Sequence, residues 1–437
     1  MKIIDGSDFE SYWKNIPKQI GDSKTEETVK GIIAGVRDNK DAAVKKYASM
    51  FDKSSPEKLE VPFSEAKNAL VQMREKEPDL AEALEFSAEN IFRFSQKQKE
   101  QFKDFEFEIQ PGLFTGQKVI PVQRAAVYIP GGRFPLFSSV LMCMIPAFCS
   151  GAEEVIFSSP PAENGIPDKK TLAAAAIAAN VCNISDNRLR IFAIGGAQAI
   201  AALALGTQSV PCCDVICGPG NKFVAEAKRQ LYAQTGIDFI AGPSDVLIIT
   251  DAKSNVDFAA ADMTAQAEHD PDARARALVP DIQTAEKLAA AVEKHVSQLS
   301  SGEIARASFE NAIIIVYKNI EEASKIANII APEHLELQME DAQELIPLLK
   351  NYGSLFIGYL CAEVLGDYSA GINHTLPTQT SARFTGGLSV RHFLKTVTTL
   401  RCTEADGFER ARNAAEIIAR AEGLEGHAIS AASRRRQ

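Results

Sequence analysis

The chain has 437 residues, 46% hydrophobic and 24% charged, with 27 glycines and 20 prolines dispersed along it. That composition excludes a disordered or collagen-like chain, and at about 150 residues per domain it predicts roughly three structural units. Fifty-seven Asp and Glu against 47 Lys and Arg leave a net charge of −10, so long-range attraction to nucleic acid or anionic lipid is not expected.

The longest apolar stretches, 141–149 and 172–179, fall short of the roughly 18 residues of a membrane span. The opening MKIIDGSDFESYWKN turns polar before a secretory core can form, so a cytoplasmic location is expected. Eight cysteines without paired CxxC knuckles suggest free thiols rather than a disulfide framework. Cys212, Cys213 and Cys217 lie in the strand-like run VPCCDVICGPG and read as small buried hydrophobes rather than metal ligands.

In chain order, 25–47, 64–76 and 80–105 carry apolar residues near helical spacing, which predicts a helical N-terminal segment over 1–117, packing with the second of two α/β domains. From Lys118 short β-branched or aromatic runs end in Gly or Pro and alternate with Ala-rich helical stretches. The runs are RAAVYIPGG, EEVIFSSPP, LRIFAIGG and CDVICGPGN, and their alternation with helices predicts a parallel α/β domain over 118–236. A second α/β domain follows over 237–390, with IDFIAGPSDVLIIT, a helix over 256–269, ARALVP, a helix over 284–296, AIIIVY and a strand at 355–358. The tail, 391–437, is expected to be helical over 408–421, broken at Gly423 and Gly426, and donated to another subunit.

Six histidines occur, at 269, 295, 334, 374, 392 and 427. His295 and His392 have amphipathic or core-like neighbours and read as surface or packing residues. AQAEHDPDA places Gln266 and His269 three apart at a helix end, on one face, as two ligands of one metal require; a histidine complementing the helix dipole explains the same spacing. APEHLELQ sets Glu333 beside His334 after a proline, either as an acid/base pair or as an ordinary strand start. GDYSAGINHTLPT carries Asp367, Asn373 and His374 in a loop, and AEGLEGH adds Glu422 and His427 where the last helix breaks; an Asx turn and plain helix termination are the bland alternatives. Gln266, His269, Asp367 and His427 together form an oxygen and nitrogen donor set that zinc or manganese accepts. No GxGxxG fingerprint is present, yet IGGAQAIAALALGT and CGPGNKFVAEAKRQL each run from a strand through glycines into a helix, whose first amides suit a pyrophosphate.

The ordered motifs YIPGGRFPLFSSVLM, IGGAQAIAAL, CGPGNKFVAEAKRQ, IDFIAGPSDVLII, AQAEHDPDA, APEHLE, GDYSAGINHTLPT and EGLEGH resemble the histidinol dehydrogenase family, most strongly from Tyr128 to His427. The resemblance implies two incomplete Rossmann-like parallel-sheet domains and a homodimer with shared active sites. It implies one zinc or manganese ion per subunit, held at positions matching Gln266, His269, Asp367 and His427, the last from the partner. It implies that His334 is the general base, that Glu333 activates water, and that Ser138, Ser244, His374 and Glu422 line the substrate pocket. Tyr128, Gln198 and Asn221 match NAD contacts. The reaction implied is oxidation of L-histidinol through L-histidinal to L-histidine with two NAD. Two features depart from that pattern: Arg133 in the YIPGG loop and ARFTGGLSV at 382–390. They leave as an alternative a paralogue oxidising another primary alcohol, such as a sulfonated propanediol, with Arg133 as an anion contact.

Overall fold

A computed structural model describes residues 1–15, 22–131, 135–240, 242–300, 302–403 and 405–434. The four motif runs after Lys118 form the middle of a six-stranded sheet in the order Glu60–Val61, Leu189–Ala193, Glu154–Ser159, Arg124–Tyr128, Val215–Cys217 and Gly236–Ile237. All neighbours are parallel except the antiparallel pair of Glu60–Val61 with Leu189–Ala193. Strand alternation divides the side chains between two cores. Ala125 and Val127 pack under the helices Phe63–Lys76, Pro78–Lys99, Phe137–Ser150 and Lys169–Val181, while Ala126 and Tyr128 pack under Ser23–Phe51, Gly196–Leu205 and Lys222–Leu231. Both faces being covered explains why these strands read as continuous apolar runs.

The second sheet is wholly parallel, in the order Lys2–Asp5, Ile313–Val316, Arg274–Val279, Asp245–Thr250, His334–Gln338 and Ser354–Ile357. Val246 and Ile248 face the helices Val256–Ala267, Ile282–Val296 and Gly302–Phe309; Leu247 and Ile249 face Phe9 and the helix Ile320–Ile330.

Two expectations differ from what is observed. The helices of the N-terminal segment pack on the first sheet rather than the second: Val29, Ile32, Ile33 and Val36 meet Ala199–Leu203, and Leu70 and Met73 join the core of Leu172 and Ile177. Lys2–Asp5 and the short helix Phe9–Lys14 join the second unit, and Asn90 reaches it through a bond to the Ser369 carbonyl at 2.9 Å. An apolar stripe reveals that a helix is half-buried, and several partners of similar apolarity can satisfy it. The third of the helices expected there stops at Lys99, and Phe105–Gln110 and Leu113–Pro121 instead form an antiparallel sheet with Leu394–Cys402 of the tail. Beyond it lie the helices Asp406–Ala421 and Glu425–Ala432, which leave Ile417, Ile418, Leu424 and Ile429 exposed. All eight cysteines are free; Cys213 and Cys217 are buried as expected, whereas Cys212 is exposed, and no described helix is long and apolar enough to cross a membrane.

Candidate active site

The Glu333–His334 pair stands where the helix Ile320–Ile330 turns into the strand His334–Gln338. Ala331 caps that helix in the left-handed region, with φ 49°, a conformation that costs a residue bearing Cβ about 1 kcal/mol or more. Pro332 then commits the chain to leave the helix. The neighbouring strand starts at Asp245, in register with this one (Val246 beside His334), and the two acids brace each other. The Asp245 N–H donates to Glu333 Oε2 at 3.0 Å and the Glu333 N–H to Asp245 Oδ1 at 2.6 Å. Arg276 closes the other Asp245 oxygen at 2.9 Å. Ser244, half-buried, directly precedes this brace.

His334 is 4% exposed and surrounded by carboxylates. Its Nε2 lies 3.3 Å from Asp367 Oδ1, and its Nδ1 lies 3.9 Å from Glu363 Oε2 and 4.0 Å from Glu333 Oε2. Burial lowers the imidazole pKa, but Glu363, Asp367 and Glu333 outweigh it and raise the group well above its ordinary value. Burial raises the Glu333 carboxyl to about 8, against the pull of His334. Asp367 is also pushed up by burial, yet its hydrogen bond and charge contact with His334 leave it below the ordinary range.

The loop after Asp367 ties this edge to the first unit. His374 places Nδ1 2.8 Å from the Asp367 carbonyl and Nε2 2.9 Å from Ser139 Oγ, and Asn373 Nδ2 donates to the Met142 carbonyl at 2.6 Å. The serine hydrogen-bonded to His374 is Ser139, the residue after Ser138. Gln266 is buried at the end of Val256–Ala267 and its Oε1 has no hydrogen-bond partner. His269 is exposed, and its charge acts on both Asp367 and His374. A buried amide oxygen without a partner is a donor that a divalent cation, a hard acid, takes. Among the described residues no group of three or more His, Cys, Asp and Glu side chains converges on a single point. Glu422 and His427 lie exposed on the tail.

Tyr128, Gln198 and Asn221 share the C-terminal edge of the first sheet, where open α/β sheets bind ligands. The Tyr128 hydroxyl accepts the Gly196 N–H at 3.0 Å, and Asn221 caps the helix Lys222–Leu231 by accepting from Phe223 and Val224 N–H at 3.0 and 3.2 Å. Gly218 passes the Tyr128 carbonyl so closely that a Cβ would lie 2.0 Å from it. Two helices thus start on glycine turns at this edge, with the Gly196 amide held by the Tyr128 hydroxyl and the Phe223 and Val224 amides by Asn221, and a helix N-terminus of this kind suits a dinucleotide's phosphates.

The family model for histidinol dehydrogenase matches residues 17–435. A histidinol dehydrogenase of Aquifex aeolicus is 43% identical over 415 residues, 94% of this chain and 93% of that protein. One from Thermus thermophilus is 41% identical, covering 95% of each. The chain belongs to the histidinol dehydrogenase family. The crystal structure of histidinol dehydrogenase from Elizabethkingia anophelis superposes with a TM-score of 0.90 at 32% identity, over 99% of this chain and 98% of that one. This histidinol dehydrogenase-family chain is accordingly an NAD-dependent oxidoreductase of histidine biosynthesis. The paralogue acting on another primary alcohol is not favoured, since these relatives carry the histidinol dehydrogenase name; Arg133, which prompted it, lies outside the described residues.

Sequence reasoning missed the carboxylates behind the histidinol dehydrogenase motifs. Gln338 Nε2 donates to Asp262 at 2.7 Å and Glu336 at 2.8 Å, and Glu336 Oε1 accepts the Glu363 N–H at 2.8 Å. Glu336 is raised to about 8 by burial and then by the Asp262 charge, and Glu363 well above its ordinary value by burial. A signal was available: Glu336 and Gln338 alternate with Leu335 and Leu337 in HLELQ, a polar face on a strand otherwise wholly buried.

Proposed function

We propose that the chain oxidises L-histidinol to L-histidine in two steps at the junction between the C-terminal edge of the first sheet and the N-terminal edge of the second. The observation that carries this reading is the buried Glu333–His334 pair facing Asp367, on a loop that reaches the first unit through His374 and Ser139. Deprotonated His334 takes the substrate hydroxyl proton as a hydride leaves the carbinol carbon, and because the surrounding carboxylates raise the imidazole well above its ordinary value that form gains as pH rises. The aldehyde so formed stays bound; Glu333 takes a proton from water as its oxygen adds to the carbonyl, and the proton on His334 passes to the carbonyl oxygen. His334 then accepts a hydroxyl proton of the hydrate as the second hydride leaves, giving the acid. Ser138, Ser244, His374 and Glu422 line the substrate pocket, with Ser139 holding His374.

Tyr128, Gln198 and Asn221 hold NAD, and Gln266, His269, Asp367 and His427 of the partner subunit hold a zinc or manganese ion, so the active form is a homodimer with shared sites. Bound NAD supplies the hydride acceptor, and the metal supplies a cationic anchor for the substrate nitrogens. The unpartnered Gln266 Oε1 supports the metal assignment. Purified protein should form two NADH per L-histidinol consumed and none with dihydroxypropanesulfonate; a rate on the sulfonate alone overturns this reading. Chelation followed by zinc or manganese should abolish and then restore turnover, and full activity after exhaustive demetallation overturns the metal.

A further inference from the structure

We propose that Thr378 is a positioning residue for the substrate: by holding Gly242 it sets where Ser244 stands relative to His374. This rests on the reading of Ser244 and His374 as residues of the substrate pocket. The buried Thr378 hydroxyl accepts the Gly242 N–H at 2.6 Å. Gly242 also lies under the Gln379 side chain, where a Cβ would collide with the amide, so the two segments approach as closely as only glycine allows. Pro243 follows, with its φ fixed and no N–H of its own to bond, and the Ser244 carbonyl accepts the Arg274 N–H at 3.0 Å. Thr378 thus fixes one end of a stiff three-residue bridge and Arg274 the other.

The segment carrying Thr378 is itself fastened along its length. Asn373 bonds the Met142 carbonyl in the first unit, and its Oδ1 accepts the Thr375 N–H at 2.9 Å; the Thr375 carbonyl accepts the Leu388 N–H at 2.8 Å. After Thr378 the chain turns through Gln379 and Thr380 at φ 52° and 66°, a region that Cβ disfavours, most of all in a β-branched residue. The Thr378 carbonyl closes that turn by accepting the Ser381 N–H at 3.1 Å. Strained backbone persists only where surrounding contacts over-determine it, and here those contacts keep Thr378 against Gly242. One continuous segment therefore carries His374 and, four residues on, the hydroxyl that places Ser244.

The test reads L-histidinol binding by calorimetry on the full-length protein with zinc present and NAD absent, so that no turnover intervenes. Thr378→Val, which keeps the shape and removes the hydroxyl, should weaken binding about tenfold. Thr378→Ser, which keeps the hydroxyl, should bind as the wild type does. In steady-state assays of Thr378→Val, kcat and KM for NAD should stay within about threefold. Unchanged binding in Thr378→Val, an equal loss in Thr378→Ser, or a matching rise in KM for NAD overturns the proposal. Because Thr378 acts through Ser244, the double variant Ser244→Ala/Thr378→Val should bind no more weakly than Ser244→Ala alone. A further tenfold loss in the double variant places the action of Thr378 elsewhere and overturns the proposal. If Ser244→Ala itself binds as the wild type does, the reading of the pocket has failed; if it binds weakly while Thr378→Val does not, only the role of Thr378 has.

Discussion

A carboxyl raised to about 8 holds its proton at neutral pH, so Glu333 can take a proton from water only as the pH climbs through that value. Oxidation of supplied L-histidinal should therefore speed up towards about pH 8. In Glu333→Gln, stopped-flow measurement should find aldehyde oxidation slowed at least about tenfold, without that rising limb, and alcohol oxidation largely kept. Asp52 gives a prediction about stability. It lies under the Gly195 turn beside Gln198, and burial raises it to about 6 against hydrogen bonds from both. Its folded pKa lies above its unfolded one, so its stabilising contribution is full below about pH 4 and is lost as pH rises through about 6. The group is partly solvated, so Asp52→Asn should gain only about 1 kcal/mol in urea denaturation at pH 8, and the gain should shrink towards pH 4. At this scale the sequence was informative where chemistry demands rare side chains in company, as in Glu333–His334. It was silent on Asp52 and Glu363, ordinary acids whose character comes from burial by distant segments.

Among the elements, the glycine turn after Val215–Cys217 depends on one interior ion pair. Lys228 Nζ bonds Asp238 at 2.7 Å and the Gly218 carbonyl at 2.6 Å, and Asp238 accepts the Gly218 N–H at 2.8 Å, with both charged side chains almost wholly buried. Lys228→Met leaves Asp238 charged and unpaired, so chemical denaturation should show a loss of about 3 kcal/mol or more. Because the turn leads to Asn221, KM for NAD should rise in the same variant. The parallel strands were readable because burial on both faces makes each a run of Val, Ile, Phe and Ala closed by Gly or Pro. Phe105–Gln110 escaped notice although FEFEIQ alternates with the period of a strand, because the helical pattern before it runs on to Phe105 without a breaking residue. It pairs with Leu113–Pro121, whose other edge takes Leu394–Cys402 from the far end of the chain, and no local signal specifies that distant partner.

At the scale of the whole molecule, the exposed tail makes the shared site testable by mixing two inactive variants. Subunit exchange between His269→Ala and His427→Ala should restore about a quarter of wild-type activity, because about half the dimers are mixed and one of their two sites is intact. No recovery despite proven exchange would place His427 in its own subunit's site. The position of Lys2–Asp5 has a separate consequence, for the order in which the chain folds. The strands of the first sheet end at Ile237, so that sheet can pair while the rest is still being made, although Leu388 and Phe393 later complete its core. Among the described residues Lys2–Asp5 pairs only with Ile313–Val316, and at 5–20 residues per second it waits on the order of 15–60 s for that partner to be synthesised. The tail strand Leu394–Cys402 is made later still. On a ribosome stalled after about residue 290, limited proteolysis should find the first sheet more protected than Lys2–Asp5, so a strand made early is among the last to be secured.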